Sequence, residues 1–149
     1  MLEGMHAPTN VIDSSEAWVK KQIDAYVASN GEKPKFAHGA PLVLITYKGR
    51  KTGQWRRTCL IGAEFEGSYL LVASKGGADD DPAWYPNLVA NPEAWLQVGP
   101  DYFAVTARTA TPAEKPTRWE YMVSLWPDYA KYQTRTAREI PVVILDPVH

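Results

Sequence analysis

Leu42-Val43-Leu44-Ile45-Thr46-Tyr47 is an uncharged run of large apolar and β-branched side chains, and the rest of the chain is read outward from it. Bounded by Pro41 and Gly49, it is too short for a buried helix and has the pattern of a buried strand. Downstream, Arg57 to Phe65 reads as a second strand, Glu66-Gly67 as a turn, and Ser68-Tyr69-Leu70-Leu71-Val72-Ala73 as a third strand. Ala94 to Val98 and Tyr102 to Ala110 form a hairpin around Gly99-Pro100-Asp101. In the last strand, Ile140 to Leu145, Pro141 suits an edge or a first position. Six strands with few crossover helices predict a mainly β, α+β fold. The expected form is an antiparallel sheet curled into a barrel, with helices plugging its ends and one side.

The helices carry their own signals. Asp13 followed by Glu16 resembles a capping box, and Val19, Ile23, Tyr26 and Val27 recur at helical spacing up to Asn30-Gly31, so a helix is expected over 13–30. Met1 to Asn10 has no pattern and reads as a tail. Pro82 to Val89 suggests a short helix ended by Asn91-Pro92. Thr111-Pro112-Ala113-Glu114 is a second capping box, opening a helix through Trp119, Met122, Val123 and Trp126, and Pro127 starts another helical segment through Tyr132. At 149 residues the whole is expected to be one domain.

Charge is distributed unevenly. The net charge is −1, yet Lys33, Lys35, Lys48, Arg50, Lys51, Arg56 and Arg57 fall between Lys33 and Ala63, where there is no Asp or Glu. Most of them sit in Gly49-Arg50-Lys51-Thr52-Gly53-Gln54-Trp55-Arg56-Arg57, between two strands. Guanidinium forks and ammonium groups on such a turn make a clasp for phosphate or carboxylate. A pI near 6.3 argues against a nucleic-acid binder and points to a small polyanion.

Other chemistry is missing. Cys59 is the only cysteine, which excludes an internal disulfide and a Cys-based zinc site and suggests a reducing compartment. With no long apolar run and no signal peptide pattern, a soluble cytoplasmic protein is expected, peripheral membrane contact being left open. There is no His-Glu-x-x-His, Gly-x-Ser-x-Gly, Walker or dinucleotide motif. His6 and His149 lie near the termini and His38 stands alone, so neither a triad nor a metal site is expected. Asp79-Asp80-Asp81 reads as a solvated acidic loop, and Cys59 as a small buried or cofactor-facing residue. An anion clasp beside abundant aromatics, without an acid–base dyad, fits chemistry carried by an organic cofactor.

Five motifs then carry a resemblance. They are Gly49-Arg50-Lys51-Thr52-Gly53-Gln54-x-Arg56, Ser74-Lys75-Gly76-Gly77, Pro82-x-Trp84-Tyr85-x-Asn87-Leu88-x-Ala90-Asn91-Pro92, Pro127-x-Tyr129-x-x-Tyr132 and Arg138-x-Ile140-Pro141-Val142. In order and spacing, from about residue 40 onward, the chain resembles the deazaflavin-dependent nitroreductase family of actinobacteria. The resemblance implies a split β-barrel and reduced coenzyme F420 as hydride donor to quinones, activated enones or nitro compounds. It further implies that Arg50, Lys51, Thr52, Arg56 and Lys75 hold the phosphate and oligoglutamate tail, whose charge Arg57 would help neutralise. The backbone of Arg57, Thr58, Cys59, Leu60 and Ile61, and of Val72, Ala73 and Ser74, would lie along the ring. Ala83, Trp84, Tyr85, Pro86 and Asn87 would close over it, although Trp84 by itself reads equally as core.

On the substrate side, Trp126, Tyr129 and Tyr132 would form an aromatic wall able to stack a flat acceptor, the tyrosine hydroxyls stabilising the charge that develops on it; by resemblance, Ser74 would assist. Some relatives have Tyr where Trp126 stands and an aromatic where Ile61 stands. The first helix is expected to act as a lid with Trp18 or Tyr26 at its edge, Lys20-Lys21 offering the alternative of membrane contact. A flavin mononucleotide or haem protein of related fold, or a non-catalytic F420 carrier, is the alternative reading; monomer and dimer are both left open.

Overall fold

A computed structural model of the chain describes residues 7–148, so His6, His149 and most of the proposed tail lie outside the described residues. The described elements are β1 (Val11–Asp13), α1 (Ala17–Ala28), β2 (Phe36–Ala37), β3 (Ala40–Lys48), β4 (Trp55–Ile61), β5 (Ala63–Phe65), β6 (Ser68–Val72), a short 3₁₀ turn (Lys75–Gly77), α2 (Trp84–Ala90), β7 (Glu93–Val98), β8 (Asp101–Thr109), α3 (Lys115–Leu125), α4 (Asp128–Thr134) and β9 (Val142–Pro147). Their order in the sheet is β1-β4-β3-β7-β8-β9-β6-β5, with β2 paired to β3 off this path. Every pairing is antiparallel except β1 on β4.

The mainly β architecture with flanking helices is as expected, but the count of six strands is not. Among the described residues the sheet has nine strands, and its hydrogen-bonded path is open, ending at β1 and β5. Two additional strands, β1 and β2, are only three and two residues long, too short to show a period. The other arises because Gly62 divides the strand expected over Arg57 to Phe65. A Cβ there would stand 2.6 Å from Val43 Cγ2 and 3.1 Å from Leu71 Cδ2, so the chain bends where strands β3 and β6 press closest.

The apolar run that opened the reading is buried on both faces, which is why it does not alternate. Val43 and Ile45 pack with Leu71, Leu96, Val105 and Leu145. Leu42 and Leu44 face the other way, onto Val19, Ile23 and Tyr26 of α1. A third cluster joins α3 and α4 to the sheet through Met122, Tyr129, Ile140 and Ile144. Among the described residues no helix is long and apolar enough to cross a membrane.

The N-terminal region differs from its expected capping. Asp13 belongs to β1, and α1 begins after Glu16 without a side-chain cap. Asp13 instead accepts from Arg57 Nε at 2.6 Å and Nη2 at 3.0 Å, and from Lys20 Nζ at 2.9 Å. Tyr26 is not at a lid edge; it is buried, donating to the Leu42 carbonyl at 3.2 Å and accepting from the Gly99 N–H at 2.7 Å. Gly31, at φ 81°, is where a Cβ would come within 2.2 Å of Gly99 Cα, so the end of α1 is fixed against the β7–β8 turn.

Burial raises the Asp13 carboxyl pKa, but the bonds from Arg57 and Lys20 outweigh it and hold the group below its usual range. A lowered folded value means that this stabilisation is present above the ordinary carboxylate pKa of about 3.9 and is lost as pH falls through the folded value. Asp13→Asn is expected to cost about 1–3 kcal/mol at neutral pH, the worth of hydrogen bonds to charged groups. Thermal melts across pH check this: the melting temperatures of variant and parent should converge in acid.

Candidate active site

A cleft of about 940 Å³ opens between β4, the 3₁₀ turn, the start of α2, α4 and the N-terminal segment. Its floor is the edge of β4 from Arg56 to Ile61, including Cys59. Val72, Ser74, Lys75 and Gly76 line one side, Ala83, Trp84 and Asn87 another, and Trp126, Tyr129 and Tyr132 the far end. Arg50, Lys51, Thr52, Ala73, Tyr85 and Pro86 do not line it, although the resemblance groups them with the coenzyme.

The basic loop is built by its own backbone. The Gly49 N–H donates to the Gln54 carbonyl at 2.7 Å and the Gly53 N–H to Gly49 at 2.9 Å, with Gly53 at φ 72°. Asn87 then ties the loop to α2: its Oδ1 accepts from both the N–H and Nη1 of Arg50, each at 3.0 Å, while its Nδ2 donates to the Ala83 carbonyl at 2.9 Å. Arg57 is committed to Asp13 through both arms of its fork. Arg50, Lys51 and Arg56 form no ion pair among the described residues, and Arg56 lies on the cleft wall. Lys75 pairs with Asp80 at 2.9 Å, but both side chains are exposed, and such a pair is worth little and exchanges readily.

Arg138 organises the opposite rim. Its guanidinium donates to the carbonyls of Ala73 at 3.2 Å, Ser74 at 2.9 Å and Ala78 at 2.8 Å, and to Asp81 Oδ1 at 2.9 Å. One side chain therefore fixes the turn that carries Ser74 and Lys75. All three consecutive aspartates are exposed, as expected of a solvated acidic loop, with Asp80 engaged by Lys75 and Asp81 by Arg138. Gly77, at φ 86°, allows this turn to meet α4, since a Cβ there would lie 2.6 Å from the Tyr132 carbonyl.

The aromatic end follows from a proline. The helix expected to run through Trp126 stops at Leu125, because Pro127 disfavours helical geometry in the residue before it; Trp126 adopts φ −140°, ψ 88°. From there it reaches the cleft, and its Nε1 donates to the Tyr132 hydroxyl at 3.4 Å. Tyr129 and Tyr132 meet edge to face, with centroids 6.1 Å apart. Burial drives the Tyr129 pKa well above its ordinary value, with the Tyr132 phenol adding to the shift, so Tyr129 stays protonated. Burial likewise pushes the Cys59 thiol up to about 12, which makes it an inert wall residue and not a nucleophile. Trp84 serves both readings, packing into the core and lining the cleft.

The model of the F420H(2)-dependent quinone reductase family matches residues 18–147, most of the chain. The chain belongs to this family. The family depends on reduced coenzyme F420, which is the cofactor and oxidoreductase class expected. An F420H(2)-dependent quinone reductase of Mycobacterium tuberculosis, Rv1261c, is 41% identical over 124 residues, covering 80% of this chain and 83% of that one. Among solved structures, an F420-H2 dependent reductase, FDR-A, is 42% identical with a TM-score of 0.67, covering 71% of this chain and 94% of that one. Another, described as a domain-swapped dimer, is 36% identical with a TM-score of 0.69 and covers 89% of this chain and 100% of that one.

The residues present fit the family's coenzyme. Arg56, without an acidic partner among the described residues, stands on the cleft wall, where a phosphate and carboxylates need it, Arg50 and Lys51 lie on the loop that leads into β4, and apolar and backbone surface lines the middle, where a flat ring needs it. Sequence reasoning missed Asp13, Arg138 and His38 as site residues. Arg138 was within reach through the Arg138-x-Ile140-Pro141-Val142 motif, whereas Asp13 was misread as a cap.

Proposed function

We propose that this family member reduces quinones with reduced F420 bound in the cleft, its phosphate and tail on Arg56, Lys51, Arg50 and Lys75. What carries the reading is the polarity of one cleft: the cations Arg56 and Lys75 on its lining, an aromatic wall at the far end, and inert surface between. The coenzyme supplies the hydride; the protein binds, orients and excludes water. Thr58, Leu60 and Ile61 on β4, with Val72 and Ser74, offer the ring its bed, and Trp84 covers it. Arg57 acts at one remove, anchoring the N-terminal segment through Asp13. Tyr129 and Tyr132 donate to the acceptor oxygen as negative charge develops there, and burial holds Tyr129 neutral for that purpose.

α1 serves as a cover for the acceptor end. Support comes from Trp18, which is 64% exposed and yet lines the cleft mouth with Val19 and Gln22. Lys20 is paired with Asp13 and Asp24, which weakens the case for membrane contact through adjacent lysines. The sheet is best regarded as a split barrel. β4 and β5 lie near opposite ends of the strand path yet are joined through Gly62 alone, which brings those ends together without pairing them.

Titration with coenzyme F420, followed by oxidation of the reduced form with menadione, an enone and a nitroimidazole, tests the proposal. Binding with menadione turnover is the expected result. Binding without turnover against any acceptor would instead make the protein a carrier, and absence of binding would overturn the reading altogether.

A further inference from the structure

β2 and β3 are joined by His38 and Gly39 alone, since Ala37 pairs with Ala40. Both connecting residues stand at positive φ, 51° and 87°. This is the signature of a type I′ hairpin turn, whose twist matches that of its strands and whose residues are usually Asn-Gly or Asp-Gly. Histidine is among the few side chains that enter this region readily. The turn thereby carries an exposed imidazole to the cleft, where His38 lies 5.8 Å from the Trp126 ring, centroid to centroid.

A quinone reduced by hydride transfer still needs a proton on oxygen. The other groups around the cleft supply one poorly. On α4, burial holds the Tyr129 proton tightly, and a phenol such as that of Tyr132 is by its chemistry a weak acid, suited to hydrogen bonding more than to proton release. On β4, Arg56 and Arg57 carry guanidinium groups, which serve as charges and hydrogen-bond donors and not as acids, and burial pushes the Cys59 thiol up to about 12. Lys75 of the 3₁₀ turn belongs, on the reading above, to the coenzyme's phosphate and tail. From the N-terminal side, Asp13 is taken by Arg57 and Lys20, and Glu16 accepts from Trp18 Nε1 at 2.9 Å. Histidine is the side chain suited to proton exchange near neutrality, and this one touches both solvent and the aromatic wall.

We propose that His38 is a catalytic residue of the acceptor step, its imidazolium donating a proton to the quinone oxygen. The inference rests on the reading of Trp126, Tyr129 and Tyr132 as the acceptor wall. The acceptor takes two electrons and one proton as the hydride. An imidazolium N–H bond then breaks as an O–H bond forms on the acceptor, giving the quinol, and the neutral ring regains its proton from water at its exposed edge.

His38→Asn is the informative variant, because asparagine suits the turn and keeps the hairpin. Menadione turnover should fall roughly a hundredfold, the alkaline decline of the parent's rate profile should disappear, and added imidazole should restore part of the rate. In coenzyme-free protein, menadione should shift both the His38 ring proton and the Trp126 indole N–H in NMR spectra. A shift of Trp126 alone, with turnover and rate profile unchanged in His38→Asn, would overturn the role of His38 and leave the wall standing. If neither resonance moved, the acceptor would bind elsewhere and both readings would fall.

Discussion

Arg56→Glu is expected to weaken F420 binding at least a hundredfold. Arg56 lies on the cleft wall without an acidic partner, so its charge is available to the coenzyme tail and no internal ion pair has to be broken first. Losing a charge-assisted contact costs about 1.5–3 kcal/mol, and placing a carboxylate against phosphate or glutamate adds repulsion of similar order at an effective dielectric of about 20. A total of about 3 kcal/mol or more corresponds to over a hundredfold in the dissociation constant. Fluorescence titration in low salt would show it, and the deficit should shrink as salt screens the repulsion. The fold should be untouched, so an unchanged melting temperature is part of the expectation. Equal affinities for variant and parent would remove Arg56 from the site.

Arg57, its neighbour, shows the limit of reading charge from sequence. Both residues belong to the same uninterrupted cationic stretch, and nothing in their spacing separates them. The difference comes from Asp13, forty-four positions away, which enters the sheet on a three-residue strand beside β4 and captures one guanidinium. Long-range pairing on so short a strand leaves no periodic trace, so the sequence supports the presence of an anion clasp but not its membership. Asn87 is a similar case: the motif marks it as important, while only the fold reveals that it joins the basic loop to α2.

The main strands were legible because their local signals agree with their tertiary setting. Leu42 to Ile45 of β3 are apolar without a break since α1 covers one face and the main core the other, and the Glu66-Gly67 turn places both residues at positive φ as a tight hairpin requires. The openness of the sheet was not legible, because closure depends on whether β1 and β5 find partners, a property of edges that no single strand records. Trp126 was placed on a helix by its spacing and leaves that helix because Pro127 follows, an effect of one residue that outweighs the apolar pattern from Trp119 onward. The misreading is consequential, since the break is what turns the indole toward Tyr132 and His38.

Tyr129→Phe should lower quinone turnover about a hundredfold while leaving coenzyme affinity nearly unchanged. The ring is 4% exposed and packs against Trp119 as well as Tyr132, so phenylalanine fills the same space and the wall keeps its shape. What disappears is one hydroxyl, which on the proposed reading donates to the acceptor. A preorganised donor of this type strengthens as charge builds on the substrate oxygen, and removing one costs about 3 kcal/mol of barrier lowering. Because burial raises the Tyr129 pKa, the hydroxyl remains a neutral donor across the working range and should introduce no alkaline limb of its own. The two site variants thus separate: Tyr129→Phe lowers kcat with F420 binding intact, and Arg56→Glu weakens F420 binding with single-turnover chemistry intact once the coenzyme saturates. A Tyr129→Phe enzyme at full turnover would leave the hydroxyl no role beyond packing, and the proton and charge balance at the acceptor would rest on Tyr132 and His38.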